Sequence, residues 1–462
     1  MSIIIPANSA VAGGYDVENS CRFNSGDSAT LVRTQGTATN LKKFVWSCWM
    51  KRSKLGAGQY IVQNYNSGTD QAFFYLRGTD DLRFFNRSGG ADTVWISDTI
   101  LTDAAAWYHI LIKVDTTQGT DTNRLKIFIN GVQDTGNGIT YPGLNADMAF
   151  NTASASNRHS LASTGDGSAF VGGYLSEIVL IDGTSPDYTD FGEFDEDSGI
   201  WKPIDVSGLT FGNNGYYLDF QDSANLGNDA SGGTDFTETN ILAIDQSIDT
   251  CTNNFAVMNI NDNFYANGTL TEGNLKVATA SGREASNTAT VPLSSGKWFW
   301  EYKQGSGSPN SGIQPVPSFG NTASNAGLQI NGVAYLTTGK VETSNGSGGS
   351  NVLATYSTFT TNDIIGTALD LNASKIYFYK NGTVQDASGL TITAASATTN
   401  GHYLIGFAAI AGTTSFEINF GGTNTYAVSS GNADGNGYGN FEYAVPSGFF
   451  SICTKNLSEA LS

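Results

Sequence analysis

The chain has 462 residues, too many for a single hydrophobic core, so two or three domains are expected. With 55 Gly, 23 Lys plus Arg, 14% charged and 11% aromatic residues, it suits neither a helical bundle nor a charged disordered chain; an all-β protein with long polar loops remains. The formal net charge of −19 opposes nonspecific attraction to nucleic acid or an anionic membrane, and no stretch nears the ~20 apolar residues of a membrane span.

The start, MSIIIPANSAVAGGYDV, has no basic n-region and only three isoleucines before Pro6, so residues 1–20 read as an arm, not a secretory signal. KFVWSCWMKR then places Phe44, Trp46, Cys48 and Met50 on one strand face. WYHILIKVD does the same with Tyr108, Ile110, Ile112 and Val114, leaving His109 and Lys113 opposite. DDLRFFNRSGG, RLKIFINGVQD and YLSEIVLIDG continue the series, each closed by turn residues. From Gly183 the segment GTSPDYTDFGEFDEDSGIWKPI is acidic and irregular, and GYYLDF resumes as a strand. Residues 223–250, which contain SANLGNDASGGTDFTETN, read as a Gly/Asn-rich linker. GNLKVA, GKWFWEYK, DIIGTALDL, SKIYFYKNG, HYLIGFAAI and SFEINFGG form a second series. The expected architecture is two antiparallel, jelly-roll-like β-sandwiches in series, residues 21–222 and 251–445, with a tail at 446–462.

One phrase occurs twice, at Lys126–Asp134 and at Lys375–Asp386: an alternating strand, Asn-Gly, and a short strand ending in Gln-Asp. Asn-Gly accepts the positive φ values of a tight hairpin turn, so one hairpin is expected in each sandwich. Leu125, Ile127 and Ile129 would face one core, and Ile376 with Phe378 the other.

Candidate chemistry is sparse. Cys21, Cys48, Cys251 and Cys453 lack paired metal spacing and read as reduced, packed thiols. Asp182, Asp187, Asp190, Asp195 and Asp197 could supply oxygen ligands to calcium, the one cofactor considered; the competing reading is a solvated acidic turn, since EF-hand spacing is absent. His109, His159 and His402 have no Ser or Cys at a motif spacing and read as surface or sheet-face residues. Trp298 and Trp300 are expected in a core. Near turns, Tyr65, Trp95 and Tyr141 in the first domain and Tyr335, Tyr356 and Tyr438 in the second are candidates to stack on a sugar ring, against ordinary rim packing.

The phrases SCWMKRS, DLRF, AWYHILIKVDTTQ, RLKIFINGVQ, YLSEIVLIDG, DFGEFDEDSGIWKPI and GYYLDFQDSANLGNDASGG, in that order, carry a resemblance. From Cys21 to Phe220 the chain resembles the concanavalin A-like, laminin-G-type domains of bacteriophage virion proteins, marine phages in particular. GKWFWEYK, DIIGTALDLNASKIYFYKNGTVQ and SFEINFGG are similar to a SPRY domain, and VPSGFFSICTKNL resembles the tail that follows such domains in phage fibres.

The resemblance implies a virion structural or adhesion protein, a tail fibre, head fibre or spike, assembled in the host cytoplasm. It would display lectin-like modules to a host-surface glycan or receptor, attach through its arm to other capsid or tail proteins, and form a homo-oligomer, a trimer by family analogy. It departs from long fibres in having no heptad run or shaft repeat, so capsid decoration without a host ligand is the alternative. Some concanavalin A-like sandwiches are polysaccharide hydrolases with an E-x-D-x-x-E strand. EFDEDS puts Glu193, Asp195 and Asp197 on one face but has Ser198 at the last acid position and glycines on both sides, so no enzyme is expected.

Overall fold

The computed structural model of the protein describes residues 14–264, 268–279, 285–316, 330–347, 349–409 and 413–460. Most of the expected arm, residues 1–13, lies outside them. The chain divides into two compact units, with the boundary in sequence between Thr252 and Asn253. Both are β-sandwiches, so the expected fold class holds.

The strands of the first unit are β1 (Ser20–Phe23), β2 (Thr30–Arg33), β3 (Lys43–Arg52), β4 (Gln59–Ser67), β5 (Asp70–Leu76), β6 (Asp81–Ser88), β7 (Ala91–Ile100), β8 (Trp107–Asp115), β9 (Leu125–Ile129), β10 (Val132–Asp134), β11 (His159–Leu161), β12 (Gly173–Asp182), β13 (Gly192–Phe194), β14 (Trp201–Pro203), β15 (Tyr216–Leu218), β16 (Thr237–Thr239) and β17 (Gln246–Ser247). One sheet runs β10-β9-β8-β3-β12-β1-β17, with β15 also on β12; the other runs β16-β2-β11-β4-β5-β6-β7. Period-2 alternation sends Phe44, Trp46, Cys48, Met50, Ile110, Ile112, Val114, Leu125, Ile127 and Ile129 into a shared core with Phe74, Phe84 and Trp95 of the facing sheet.

The first sheet is also covered on its other face. Val45, Leu111, Phe128, Val179 and Ile181 pack there against Phe191, Val206 and Tyr217, so the acidic segment after Gly183 forms an outer layer. With both faces covered, β3 is buried at every position but Lys43 and β12 along its whole length, and apolar residues occupy both faces of each.

The expected linker is not one. Residue stretch 223–250 contributes β16, which pairs with β2, and β17, which pairs with β1, while Phe236 and Ile241 enter the core. Its aspartates neutralise buried cations: Asp229 with Arg33 at 3.4 Å, Asp245 with Arg22 at 2.8 Å and Asp249 with Lys51 at 2.6 Å. The Gly/Asn/Asp composition is that of tight turns carrying ion-pair partners.

The second unit comprises β18 (Met258–Phe264), β19 (Gly268–Thr271), β20 (Lys276–Thr279), β21 (Ala285–Ala289), β22 (Lys297–Ser306), β23 (Pro309–Gln314), β24 (Val333–Leu336), β25 (Lys340–Ser344), β26 (Ser350–Thr355), β27 (Ile364–Asp370), β28 (Lys375–Lys380), β29 (Thr383–Val384), β30 (Leu390–Thr391), β31 (Leu404–Ala409), β32 (Ser415–Asn419) and a short helix α1 (Thr454–Ala460). Its sheets run β18-β21-β31-β23-β24-β25-β26 and β19-β20-β32-β22-β27-β28-β29, with β30 on β28. Trp298, Trp300, Ile376 and Phe378 lie in the core, as expected. The segment expected to be a tail is also part of the fold: Ile452 and Leu457 join that core. Asp434 binds Ser451 N and Oγ and Asn456 Nδ2, each at 2.8 Å.

Here too an irregular segment covers a sheet. Phe441, Val445 and Phe449 pack over Phe299, Ala368, Tyr377 and Tyr379. Beneath them Glu301 of β22 is fully buried and accepts bonds from the backbone N–H of Glu442 at 3.0 Å and of Tyr443 at 3.1 Å. Desolvation outweighs those bonds and pushes its carboxyl up to about 7.

Both expected hairpins form. Asn130-Gly131 has φ values of 49° and 73°, and Asn381-Gly382 has 48° and 76°. They join β9 to β10 and β28 to β29, the geometry that the Asn-Gly pairs require.

Candidate ligand-binding face

Alternation along β4, β5 and β6 gives the second sheet of the first unit an outer face that no other layer of that unit covers. Ala72, Phe74, Leu76, Leu82 and Phe84 point into the core, leaving Phe73, Tyr75, Arg83, Phe85 and Arg87 outward. Register places Tyr60 opposite Tyr75, Phe73 opposite Phe85, and Tyr75 opposite Arg83. The rings form a continuous row: Tyr60 stacks on Tyr75 at 5.0 Å, Phe73 lies 5.0 Å from Tyr60, and Phe73 stacks on Phe85 at 4.9 Å. Tyr60, Phe73 and Tyr75 stay half-buried, with Phe85 as the covered floor at 8% exposure. Such cross-strand aromatic pairs are rigid, so the face is preformed.

Guanidinium groups edge the row. Arg83 and Arg87 lie over the Phe85 ring at 5.5 and 5.4 Å, and Arg158 lies over Tyr65 at 5.4 Å. Arg87 is neutralised by Asp92 through bonds of 2.6 and 2.8 Å. Arg83 has no ion-pair partner among the described residues, and its buried Nε has no hydrogen-bond partner. Burial holds the Tyr60 phenol above its ordinary range, and the Arg83 charge opposes that shift.

Of the rings chosen from sequence, Tyr65 alone sits on this face. Trp95 is 2% exposed, because β7 turns it inward to within 6.4 Å of Phe74, and Tyr335 is fully buried beside Phe359 and Phe378. Neither can offer a ring face to a sugar, which corrects both expectations. Tyr141 packs on the edge of the first core. Tyr356 meets Tyr335 edge-on at 5.9 Å and Tyr438 lies under Lys455, two separate places in the second unit. Tyr60, Phe73, Tyr75 and Phe85 escaped the sequence reading. Their signal is the consecutive aromatics of QAFFYL and LRFFNR: a strand with one wet face should alternate apolar with polar residues, and these do not.

The five aspartates do not converge, and among the described residues no group of three or more His, Cys, Asp or Glu could hold a metal ion. Each has a local task. Asp182, buried, accepts from Thr39 N at 2.7 Å, Asn214 N at 3.0 Å and Asn151 Nδ2 at 2.8 Å. Asp187 and Asp190 form a reciprocal cap on one turn. Asp195 accepts from Ser198 N and Oγ, both at 2.8 Å, while Asp197 is exposed. The five therefore do not make one ligand set among the described residues. The hydrolase candidates Glu193 and Asp195 both bridge to Lys202, at 3.2 and 3.4 Å, around the β13–β14 ribbon.

His109 is buried rather than surface-exposed, roofed by Trp201. It lies 2.7 Å from Ser47 Oγ through Nε2, a pairing that sequence spacing did not reveal. Its Nδ1 accepts the Trp201 indole N–H at 3.0 Å, so the ring proton sits on Nε2 and is donated to Ser47. An imidazole with no lone pair toward the hydroxyl cannot serve as its base, and burial holds its pKa down to about 3. His159 is also buried, against Tyr216, with Nε2 at 3.2 Å from its hydroxyl. His402 remains partly exposed.

A second concavity, about 820 Å³, lies among Thr34, Thr37, Phe211, Asn213, Ser231 and Thr234. Its Arg33 is committed to Asp229 and to the backbone carbonyl of Asn214. Phe211, its one ring, stacks on Tyr217 at 6.2 Å. The cleft offers hydroxyls but no row of rings.

Residues 24–184 match a laminin G family model described as the concanavalin A-like lectin/glucanases superfamily, which gives the first sandwich its fold. No curated protein sequence matches the chain. Among solved structures, the SPRY domain of human HERC1 is 16% identical, with 37% of this chain and 99% of that one covered and a TM-score of 0.27. Domains LG4-5 of the mouse laminin alpha1 chain are 12% identical, covering 89% and 91%, with a TM-score of 0.31. A pentraxin of Limulus polyphemus is 13% identical, covering 38% and 80%, with a TM-score of 0.28. Among the described residues no helix is long and apolar enough to cross a membrane.

Proposed function

We propose that the protein is a carbohydrate-binding adhesion protein of a bacteriophage particle, a tail fibre, head fibre or spike, with the first sandwich as its lectin-like module. The observation that carries sugar binding is the open row Tyr60–Tyr75–Phe73–Phe85. The apolar C–H face of a pyranose stacks on such rings, and hydroxyls and guanidinium groups at the edge bond its oxygens. The concanavalin A-like fold of residues 24–184 is compatible with this use, but a fold alone does not assign a function. Binding of this kind needs no catalytic group.

Phe73→Ala combined with Tyr75→Ala tests the site. The pair is expected to weaken binding to any glycan recognised on an array by about ten-fold, since two half-buried stacking rings contribute roughly 0.5–1.5 kcal/mol each beyond their area. Undiminished binding would refute the assignment. Absence of binding by the wild-type chain favours the decoration reading instead.

The virion placement rests on the ordered phage-like phrases across both sandwiches. It carries with it the SPRY-like reading of the second sandwich, an arm anchored to other capsid or tail proteins, and a trimeric assembly. Mass spectrometry of purified particles is expected to recover peptides of this chain at a fixed copy ratio to the major capsid protein. Their absence would remove the particle from the account and leave the glycan site standing.

A further inference from the structure

Resting on that glycan-binding reading, we infer that the ligand is an acidic oligosaccharide, one anionic group of which is taken by Arg83 while an adjacent sugar ring stacks on Tyr60 and Tyr75. The argument begins with charge. Acidic side chains number 42 against 23 Lys plus Arg, so an arginine is expected to find a carboxylate. Arg22, Arg33, Arg52, Arg77 and Arg87 all do. Arg124 instead binds the carbonyls of Gln118, Gly119 and Pro142.

Arg83 differs from all of these. It projects from the middle of β6, faces Tyr75 across the sheet, and rests against Phe85. It is half-buried, with an Nε that has lost water without gaining a partner. A guanidinium partly stripped of water costs free energy until an anion completes its bonds, and its planar fork suits a two-oxygen acceptor. The flanking rings hold that fork in place before any ligand arrives, so little ordering is left for binding. Arg158 repeats the arrangement beside Tyr65, with no carboxylate within ion-pairing distance among the described residues. Neither guanidinium is in ion-pair contact with a carboxylate among the described residues, although the charges of Asp92 and Asp166 reach Arg83 and Arg158, so on a chain of net charge −19 this aromatic face keeps a cationic edge. A carboxylated or sulfated glycan, with apolar ring faces between its charges, fits both features; a neutral glycan offers the Arg83 guanidinium hydroxyls but no charge.

Calorimetric titration of the full chain with a glucuronate-containing oligosaccharide, its carboxyl-reduced neutral counterpart and a sulfated neutral oligosaccharide tests this. The wild type is expected to bind at least one acidic ligand about ten-fold or more tighter than the neutral one, the size of one charge-assisted hydrogen bond, and to lose that margin in high salt. The stronger of the two acidic ligands identifies carboxylate or sulfate as the group taken. Arg83→Gln is expected to remove the margin, lowering affinity for the acidic ligand far more than for the neutral one, and to leave the protein folded, as read by its melting temperature, because Arg83 has no ion pair among the described residues to lose. Equal affinity for acidic and neutral ligands would overturn the inference and leave glycan binding intact. Absence of binding to every glycan would overturn both. A dimer abolished by Arg83→Gln, with no anion preference, would assign the face to a second copy of the chain and overturn the inference as well.

Discussion

Asp249→Ala lowers the unfolding free energy of the first unit by about 3–5 kcal/mol, the usual cost of removing one partner of a buried ion pair. Lys51 and Asp249 are each 1% exposed and 2.6 Å apart. Asp249 also accepts the Trp107 indole N–H at 3.1 Å, so alanine removes a buried carboxylate that serves both a cation and a second donor. Burial already opposes the charge of Lys51, and Asp249 is the main group restoring it. Urea titration read by tryptophan fluorescence measures the loss. The double change Lys51→Met with Asp249→Leu is expected to recover much of it, since apolar residues of similar size tolerate the site. A loss below about 1 kcal/mol for Asp249→Ala would contradict the buried pair and would return residues 223–250 to the role of linker.

The second large effect depends on pH. Glu301 has a folded pKa of about 7 against an ordinary 4.5. A carboxyl raised in this way binds its proton more tightly folded than unfolded, so its contribution is fully present below about 4.5 and is lost as pH rises to about 7. Glu301→Gln keeps the neutral form at every pH. The variant should therefore gain stability relative to the wild type across that window, on the order of 3 kcal/mol, and hold a constant difference above it. Comparing the two by denaturant titration at fixed ionic strength isolates this residue from Glu177 of the other unit, which burial raises to about 8. A difference independent of pH would show that Glu301 stays ionised beneath Phe441 and Phe449.

Local signals made the strands legible. Asn-Gly demands one turn geometry, and the inward sets at Phe44–Met50 and Ile110–Val114 follow from period two whatever they pack against. What composition hid was long-range pairing. Asp229, Asp245 and Asp249 look like solvated loop residues until Arg33, Arg22 and Lys51, some 200 positions away in sequence, are found beside them. The same limit applies to the site. Proximity to turn residues selected Trp95 and Tyr335, both core residues, because a turn does not say which way the neighbouring strand faces. The informative signal was a breach of alternation at Phe73–Phe74–Tyr75 and Phe84–Phe85, where outward positions are aromatic without a covering layer.

A crystal structure of the chain soaked with its best acidic array ligand tests the central claim most directly. The account predicts a sugar ring over Tyr60 and Tyr75 with its anionic group at the Arg83 guanidinium. Density in the cleft between Thr34 and Ser231, with the aromatic row bare, would contradict it.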